Sequence, residues 1–214
     1  MAEVKQQLVF KDRLVEMATD ILKLIKSANK GLETIFVGVH ARRGDKLRVW
    51  RQSNKILNIL GKYEGNFFRY SMELMRKRYN SASQKVAFIV TSDNYGWTKN
   101  KLGNVSDTYF SRDFVQAPVK GNINSLCLKV YLDFFVIGPT SLGVDLAVLS
   151  MANHTIMDYG TFGLWAGLLA GGTILAPTPR ATLKGRLSLL ILFGGKLRKM
   201  ENVELINIHE MRGT

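Results

Sequence analysis

The chain is 214 residues long, with 46% hydrophobic and 22% charged side chains and a formal charge of +13 from 30 Lys and Arg against 17 Asp and Glu. That apolar content excludes intrinsic disorder, a single cysteine excludes an intrachain disulfide framework, and the length accommodates one sizeable core. The charge points to an anionic partner, whether nucleic acid, an acidic membrane or a phosphorylated small molecule, although the 20 basic and 10 acidic residues of positions 1–110 are spread without any block of five like charges.

The opening run MAEVKQQLVFKDR has no apolar stretch, so neither a signal peptide nor a membrane anchor is expected there. Over Asp12–Lys30, Leu14, Met17, Ala18, Ile21, Leu22 and Ile25 fall on one face with lysines opposite, which predicts an amphipathic helix stopped by Gly31. Thr34–His40 is β-branched and apolar throughout, a buried strand. Phe67–Tyr79 predicts a second amphipathic helix, whose basic last turn, Arg76–Arg78, suits the helix dipole. Val86–Thr91 is another buried strand, closed by the polar loop Ser92-Asp93-Asn94. The apolar run Leu126–Gly138 is too short to span a bilayer and carries Lys129 and Asp133. Asp145–Ala152 then reads as helix, Thr155–Met157 as strand, Phe162–Ala170 as helix and Thr173–Ala176 as strand. Gly160–Ala176 is seventeen residues long but holds five glycines, so a buried helix and strand explain it better than a membrane span.

Continuous apolar strands alternating with amphipathic helices predict an α/β fold with a parallel sheet covered on both faces. Such sheets bind ligands outside the carboxyl ends of their strands, which singles out the loops after His40, Thr91 and Met157. Neither an internal repeat nor a Pro/Ser-rich linker divides the chain.

Two of those loops carry residues suited to anions. After the first strand comes His40-Ala41-Arg42-Arg43-Gly44-Asp45. Paired guanidiniums there are costly unless they reach solvent or an anion, and their planar geometry matches phosphate oxygens. Gly44 permits a tight turn, and Asp45 either orients an arginine or accepts a proton; the plainer reading is a solvated turn with one surface ion pair. After Met157, Asp158-Tyr159-Gly160-Thr161-Phe162-Gly163 places a Gly/Thr turn at a helix N-terminus, where free N–H groups and a hydroxyl suit an anion. It is neither a Walker motif nor a dinucleotide fingerprint, and helix capping is the alternative.

Three blocks in order resemble the α-1,2-fucosyltransferases, glycosyltransferase family 11: Phe36-Val37-Gly38-Val39-His40-Ala41-Arg42-Arg43-Gly44-Asp45; Val86-Ala87-Phe88-Ile89-Val90-Thr91-Ser92-Asp93 with Trp97; and Asp145 through Met157 running into Gly160-Thr161-Phe162-Gly163-Leu164-Trp165-Ala166. The resemblance covers residues 10–112 and 139–176. It implies a GT-B-type enzyme that moves L-fucose from GDP-β-L-fucose to the 2-hydroxyl of a terminal galactose with inversion and without a metal; the absence of a DxD triplet agrees. By the same resemblance, Arg42 and Arg43 stabilise the departing diphosphate, His40 and Asp145 contact the guanosine, and Gly160, Thr161 and Phe162 hold a phosphate oxygen at the helix N-terminus. Asp45 is the candidate base for the acceptor hydroxyl, with orientation of an arginine as its alternative role. His154, which opens a predicted buried strand, is read as a hydrogen-bonded core histidine.

The domains implied are an N-terminal helix at 1–30 left from an acceptor-side lobe, a GDP-fucose-binding α/β lobe at 31–176 with an unusual insertion at 113–138, and a divergent tail at 177–214. Lys46 stands where the family motif carries an aromatic residue. The insertion, the tail and the missing N-terminal parts together fit an incomplete or mis-spliced gene product. The partners implied are GDP-fucose and a galactose-terminated glycan, with no cofactor and no nucleic acid. The location implied is the lumenal side of the Golgi membrane, through an anchor this chain lacks. Two readings compete: an inactive family member that binds donor only, and a basic polyanion-binding protein supported by the charge alone. Asn104-Val-Ser106 and Asn153-His-Thr155 are glycosylation sequons; Asn104 follows a polar turn, and Asn153 is expected bare.

Overall fold

The computed structural model describes residues 9–29, 32–44, 55–116, 141–158, 160–178, 190–193, 196–199 and 202–207. The first helix, α1 (Asp12–Ala28), buries Met17, Ala18, Ile21, Leu22 and Ile25, the stripe its periodicity predicts. It leads into strand β1 (Glu33–Ala41), helix α2 (Lys55–Tyr79) and strand β2 (Gln84–Ser92). A short helix α3 (Tyr95–Leu102), strand β3 (Thr108–Phe110) and a six-residue helix α4 (Ser111–Gln116) follow. Beyond residues 117–140 come α5 (Ser141–Ser150), β4 (His154–Met157), α6 (Thr161–Ala170) and β5 (Ile174–Thr178). The last elements are an antiparallel pair, β6 (Leu190–Phe193) with β7 (Lys196–Lys199), and β8 (Val203–Asn207).

Six strands form one sheet in the order β3-β2-β1-β4-β5-β8, and every pairing is parallel. The α/β class with a parallel sheet is therefore as expected. Strand order reverses between β1 and β4, so the crevice of the fold opens at their carboxyl ends. There His40 lies opposite Thr91 on one side and Met157 on the other. The three loops singled out by sequence thus leave the sheet at one level, side by side.

Both faces of the sheet are covered, and alternate side chains of each strand serve opposite faces. Val37, Val39 and Ala41 of β1 and Val86, Phe88 and Val90 of β2 pack against Phe67, Phe68, Met72 and Met75 of α2. Ala87 and Ile89 face the other way, onto α1 and the Val144, Ala147 and Val148 stripe of α5. Helix α6 joins that second layer over Ile174 and Ala176 of β5.

The apolar stretch at 160–176 resolves into α6 and β5, with Gly171 ending the helix in a left-handed conformation at φ 86°. Among the described residues, no helix is long and apolar enough to cross a membrane. His154 opens β4, accepts the Thr173 N–H on Nδ1 at 3.1 Å and stacks on Tyr79 at 4.2 Å. Two arginines at the basic end of α2 are engaged within the chain. Arg76 forks onto Asp107 at 2.7 and 2.8 Å, and Arg78 onto Glu204 of β8 at 2.7 Å through both nitrogens.

Three features depart from the predicted element boundaries. Helix α2 starts well before Phe67, through a segment whose Gly61 and Gly65 obscure the period. Helix α3 is set by a cap rather than by a stripe: the Asn94 side chain accepts the Trp97 N–H at 3.0 Å. Within 177–214, residues 203–207 form an edge strand of the sheet, paired to β5. The insertion expected at 113–138 begins inside α4, and its remainder from 117 onward lies outside the described residues.

Candidate active site

A cleft of about 350 Å³ opens at the carboxyl ends of β1, β2 and β3. His40 lines it from β1, Arg42 from the turn after β1, Asp93 from the turn after β2, Ser111 and Arg112 from the start of α4, Asp145 from α5 and Phe162 from α6.

The turn after β1 is held by two carboxylates from neighbouring strands. The Arg42 N–H donates to both oxygens of Asp158, each at 3.0 Å. The Arg43 N–H donates to Asp93 Oδ1 at 2.6 Å and the Gly44 N–H to Asp93 Oδ2 at 2.8 Å. Asp93 is placed by the end of β2, where the Ser92 hydroxyl donates to the Ala41 carbonyl at 2.7 Å and accepts the Asn94 N–H at 3.0 Å. Because these backbone donors are engaged, a ligand anion at this turn meets the side chains of the arginines instead.

The two arginines diverge. Arg42 lines the cleft, with Nε 3.3 Å from Asp93 Oδ2 and a side chain 31% exposed. Arg43 is buried, its guanidinium 3.3 Å from the centroid of the Trp97 ring on α3, a cation–π contact that draws it away from the cleft lining. Trp97 packs edge-on against Phe68 at 6.3 Å, which ties the arginine to the core beneath α2.

His40 is 5% exposed. Burial, opposed by Asp93 and reinforced by Arg42, lowers its pKa to about 4, so the ring is neutral at pH 7. Phe162 packs against it at 4.9 Å. Gly163 permits that approach: a Cβ there would stand 2.9 Å from His40 Nδ1 and 3.0 Å from Met157 Cβ. Gly163→Ala is therefore expected to lose roughly 1–3 kcal/mol of stability through overpacking, measured by urea unfolding; a variant within about 0.3 kcal/mol of wild type would show that the ring yields freely.

Across the cleft, the Ser111 hydroxyl donates to Asp145 Oδ1 at 2.6 Å. Burial raises the Asp145 pKa to about 6, against the opposing pull of Ser111 and Arg112. The cleft thus holds a neutral imidazole and, above pH 6, an ionised carboxylate. Gly160 precedes α6 at φ 94°, a left-handed conformation that favours glycine. As the N-cap residue, Gly160 makes no side-chain cap, and it and Thr161 are exposed at the start of the helix.

Of the residues expected at the site, His40, Arg42, Asp145 and Phe162 line one cleft. Gly160 and Thr161 lead directly into Phe162 without lining it, Arg43 lies against Trp97, and Asp45 lies outside the described residues. Sequence reasoning gave no role to Asp93, Asp158, Ser111 or Arg112. A signal existed for the first two, since Asp158 directly follows a predicted strand and Asp93 lies in the loop predicted to close another, both at the ligand-binding edge. Nothing marked the other two. Among the described residues, no group of three or more His, Cys, Asp or Glu side chains is placed to hold a metal ion.

Residues 1–181 match the family model described as Glycosyl transferase family 11. The chain is 31% identical over 172 residues to galactoside alpha-(1,2)-fucosyltransferase 1 of Aotus azarae, covering 79% of this chain and 38% of that protein. With the human protein of the same name the identity is 31% over 173 residues, covering 79% and 39%. The chain thus spans about two fifths of the length of these curated relatives. Among solved structures, NodZ alpha-1,6-fucosyltransferase co-crystallised with GDP aligns at a TM-score of 0.39 and 16% identity, over 72% of this chain and 41% of NodZ. A glycosyl transferase family 9 protein from Veillonella parvula DSM 2008 aligns at 0.45 and 10%, over 91% and 41%.

Proposed function

The chain belongs to glycosyl transferase family 11, and from that membership we propose that its cleft takes GDP-β-L-fucose and serves inverting transfer of L-fucose to the 2-hydroxyl of a terminal galactose in a glycan. The observation that carries this reading is the placement of Arg42 and Asp145 in one cleft at the carboxyl ends of a parallel sheet. One group is suited to a diphosphate and the other to a base that presents two N–H donors.

The guanine lies against the α5 side. The ionised Asp145 accepts its N1–H and N2–H, while Ser111 fixes the carboxylate and neutral His40 adds a buried, uncharged contact to the guanosine. The diphosphate lies toward Arg42, with the first turn of α6 at Gly160, Thr161 and Phe162 supplying N–H groups and a hydroxyl. Arg43 adds positive charge from its seat on Trp97. As the bond from the anomeric carbon to the diphosphate oxygen breaks, its electron pair leaves with GDP, and the guanidiniums stabilise the growing charge. The acceptor oxygen bonds to the opposite face of an oxocarbenium-like centre, and its proton passes to a carboxylate, for which Asp45 is the candidate. A GT-B arrangement, with an acceptor-side lobe facing this one, completes the reading.

Incubating the full chain with GDP-fucose and a β-galactoside tests it. Fucosylated product with an α-1,2 linkage is expected; GDP-fucose left intact, with neither transfer nor hydrolysis, would overturn the catalytic reading.

A lumenal Golgi location is part of the same proposal and has its own consequence. Asn104 is exposed on the turn before β3, whereas the Asn153 side-chain oxygen accepts the Phe36 N–H at 2.9 Å. Expressed through a secretory pathway, the protein is expected to lose one glycan's mass on Asn104→Gln and none on Asn153→Gln. A glycosidase-sensitive shift surviving Asn104→Gln would contradict this.

A further inference from the structure

Asp158 directly follows β4, is 4% exposed and stands outside the lining of the cleft, so it does not meet a ligand there itself. Its carboxylate nevertheless takes the N–H of the cleft arginine on both oxygens at 3.0 Å, and its own N–H donates to the His40 carbonyl at 3.4 Å. One residue thus bonds the end of β1 at two points. Two residues later, the exposed Gly160 turns the chain at φ 94° into the first turn of α6. A buried carboxylate receiving a backbone N–H makes a charge-assisted bond about twice as strong as a neutral one, and it is costly to bury without such a bond.

With Asp93 holding the N–H groups of Arg43 and Gly44, every backbone donor from 42 to 44 is fixed by a side chain from another strand. A fixed backbone fixes the direction in which Arg42 leaves it.

We propose that Asp158 is a positioning residue that locks Arg42 and the first turn of α6 into one diphosphate-holding unit. The inference rests on the reading that the cleft takes a nucleoside diphosphate. It concerns the phosphate end, because the carboxylate takes the N–H of Arg42 itself, whereas Asp158 meets His40 backbone to backbone and Asp145 is placed by a different element, α5, with its own partner Ser111. Loss of the clamp should therefore weaken a ligand only as far as that ligand carries phosphate.

The test is calorimetric titration of the full chain, wild type, Asp158→Ala and Asp158→Asn, with GDP and with guanosine. Asp158→Ala is expected to bind GDP at least about tenfold more weakly, the loss of one charge-assisted bond, with guanosine affinity within about twofold of wild type. Asp158→Asn keeps one acceptor oxygen and the side-chain shape, and is expected to lose about threefold for GDP and nothing for guanosine. It decides the matter should the alanine variant fail to fold. GDP affinity unchanged in the folded variants, or GDP and guanosine weakened equally, would overturn the proposal. Wild type that binds no GDP would instead overturn the reading of the cleft, and the clamp's role with it.

Discussion

Arg42→Ala is expected to lower GDP-fucose turnover by roughly 10²–10³-fold, the cost of removing one preorganised positive group from a site where charge develops in the transition state. The fold should survive. The side chain is 31% exposed, and its ion pair with Asp93 Oδ2 at 3.3 Å is the half-solvated kind that contributes about 0–1 kcal/mol. Asp93 itself keeps its backbone partners, the N–H groups of Arg43 and Gly44. Arg42→Lys retains the charge but loses the flat two-pronged contact, so an intermediate rate is expected. Initial rates of fucose release or transfer, read beside a thermal melt, check this. Wild-type turnover in a folded Arg42→Ala protein would remove this arginine from the site.

Asp145→Asn is expected to separate binding from stability. An amide in place of the carboxylate turns an N–H donor toward guanine's own donors, and GDP affinity should fall by about 10²-fold or more, since buried donors left facing one another are heavily penalised. On the proposed placement of guanine, the wild-type carboxylate must be ionised to accept those donors. GDP affinity is therefore expected to be flat above pH 7 and to weaken as pH falls through about 6.

Stability moves the other way. Asp145 has its pKa raised from 3.8 to about 6 by burial, so between those values the folded chain holds more protons than the unfolded one. The contribution of this residue accordingly declines as pH rises across that window. Removing the charge should stabilise the ligand-free protein at pH 7 by roughly 1–2 kcal/mol. His40 has the opposite slope. Its pKa is lowered from 6.5 to about 4, so its contribution is full above 6.5 and is lost as pH falls toward 4. The two nearly offset one another in the wild type, and Asp145→Asn should expose the histidine slope as a stability that falls on acidification. Urea unfolding from pH 4.5 to 7.5 reads both effects; equal slopes in variant and wild type would contradict the opposed pair.

The parallel sheet was legible because its central strands are buried on both faces. The apolar runs at 34–40 and 86–91 leave no other reading, and their parallel register then aligns the loops after His40, Thr91 and Met157. Helix α1 was legible for the complementary reason, a single stripe on a lysine-rich cylinder. Helix α3 was not, because it has no apolar stripe and depends on one side-chain cap at Asn94. Strand β8 was not, because a sheet-edge strand beside β5 needs only a few apolar positions and its pairing is a tertiary choice.

At the site, residue types pointed to Arg42 and Arg43 together, but type cannot show direction. The divergence of the two side chains depends on Trp97, contributed by the helix that periodicity missed. The acceptors Asp93 and Asp158 lie within segments that the sequence singles out, but nothing there marks them as acceptors for the turn after β1. Their role appears only when three strand ends come within hydrogen-bonding distance. The basic excess likewise changes its meaning in three dimensions, since Arg76 and Arg78 are turned to Asp107 and Glu204 rather than outward as an anion-binding patch.

Parallel calorimetric titrations of the full chain with GDP and ADP at pH 7.5 decide whether this cleft recognises a guanosine diphosphate. One GDP per chain is expected, bound at least about a hundredfold more tightly than ADP, because adenine lacks the paired N1–H and N2–H donors that the proposed contact gives to Asp145. Equal affinity for the two nucleotides, or no heat with either, would contradict it.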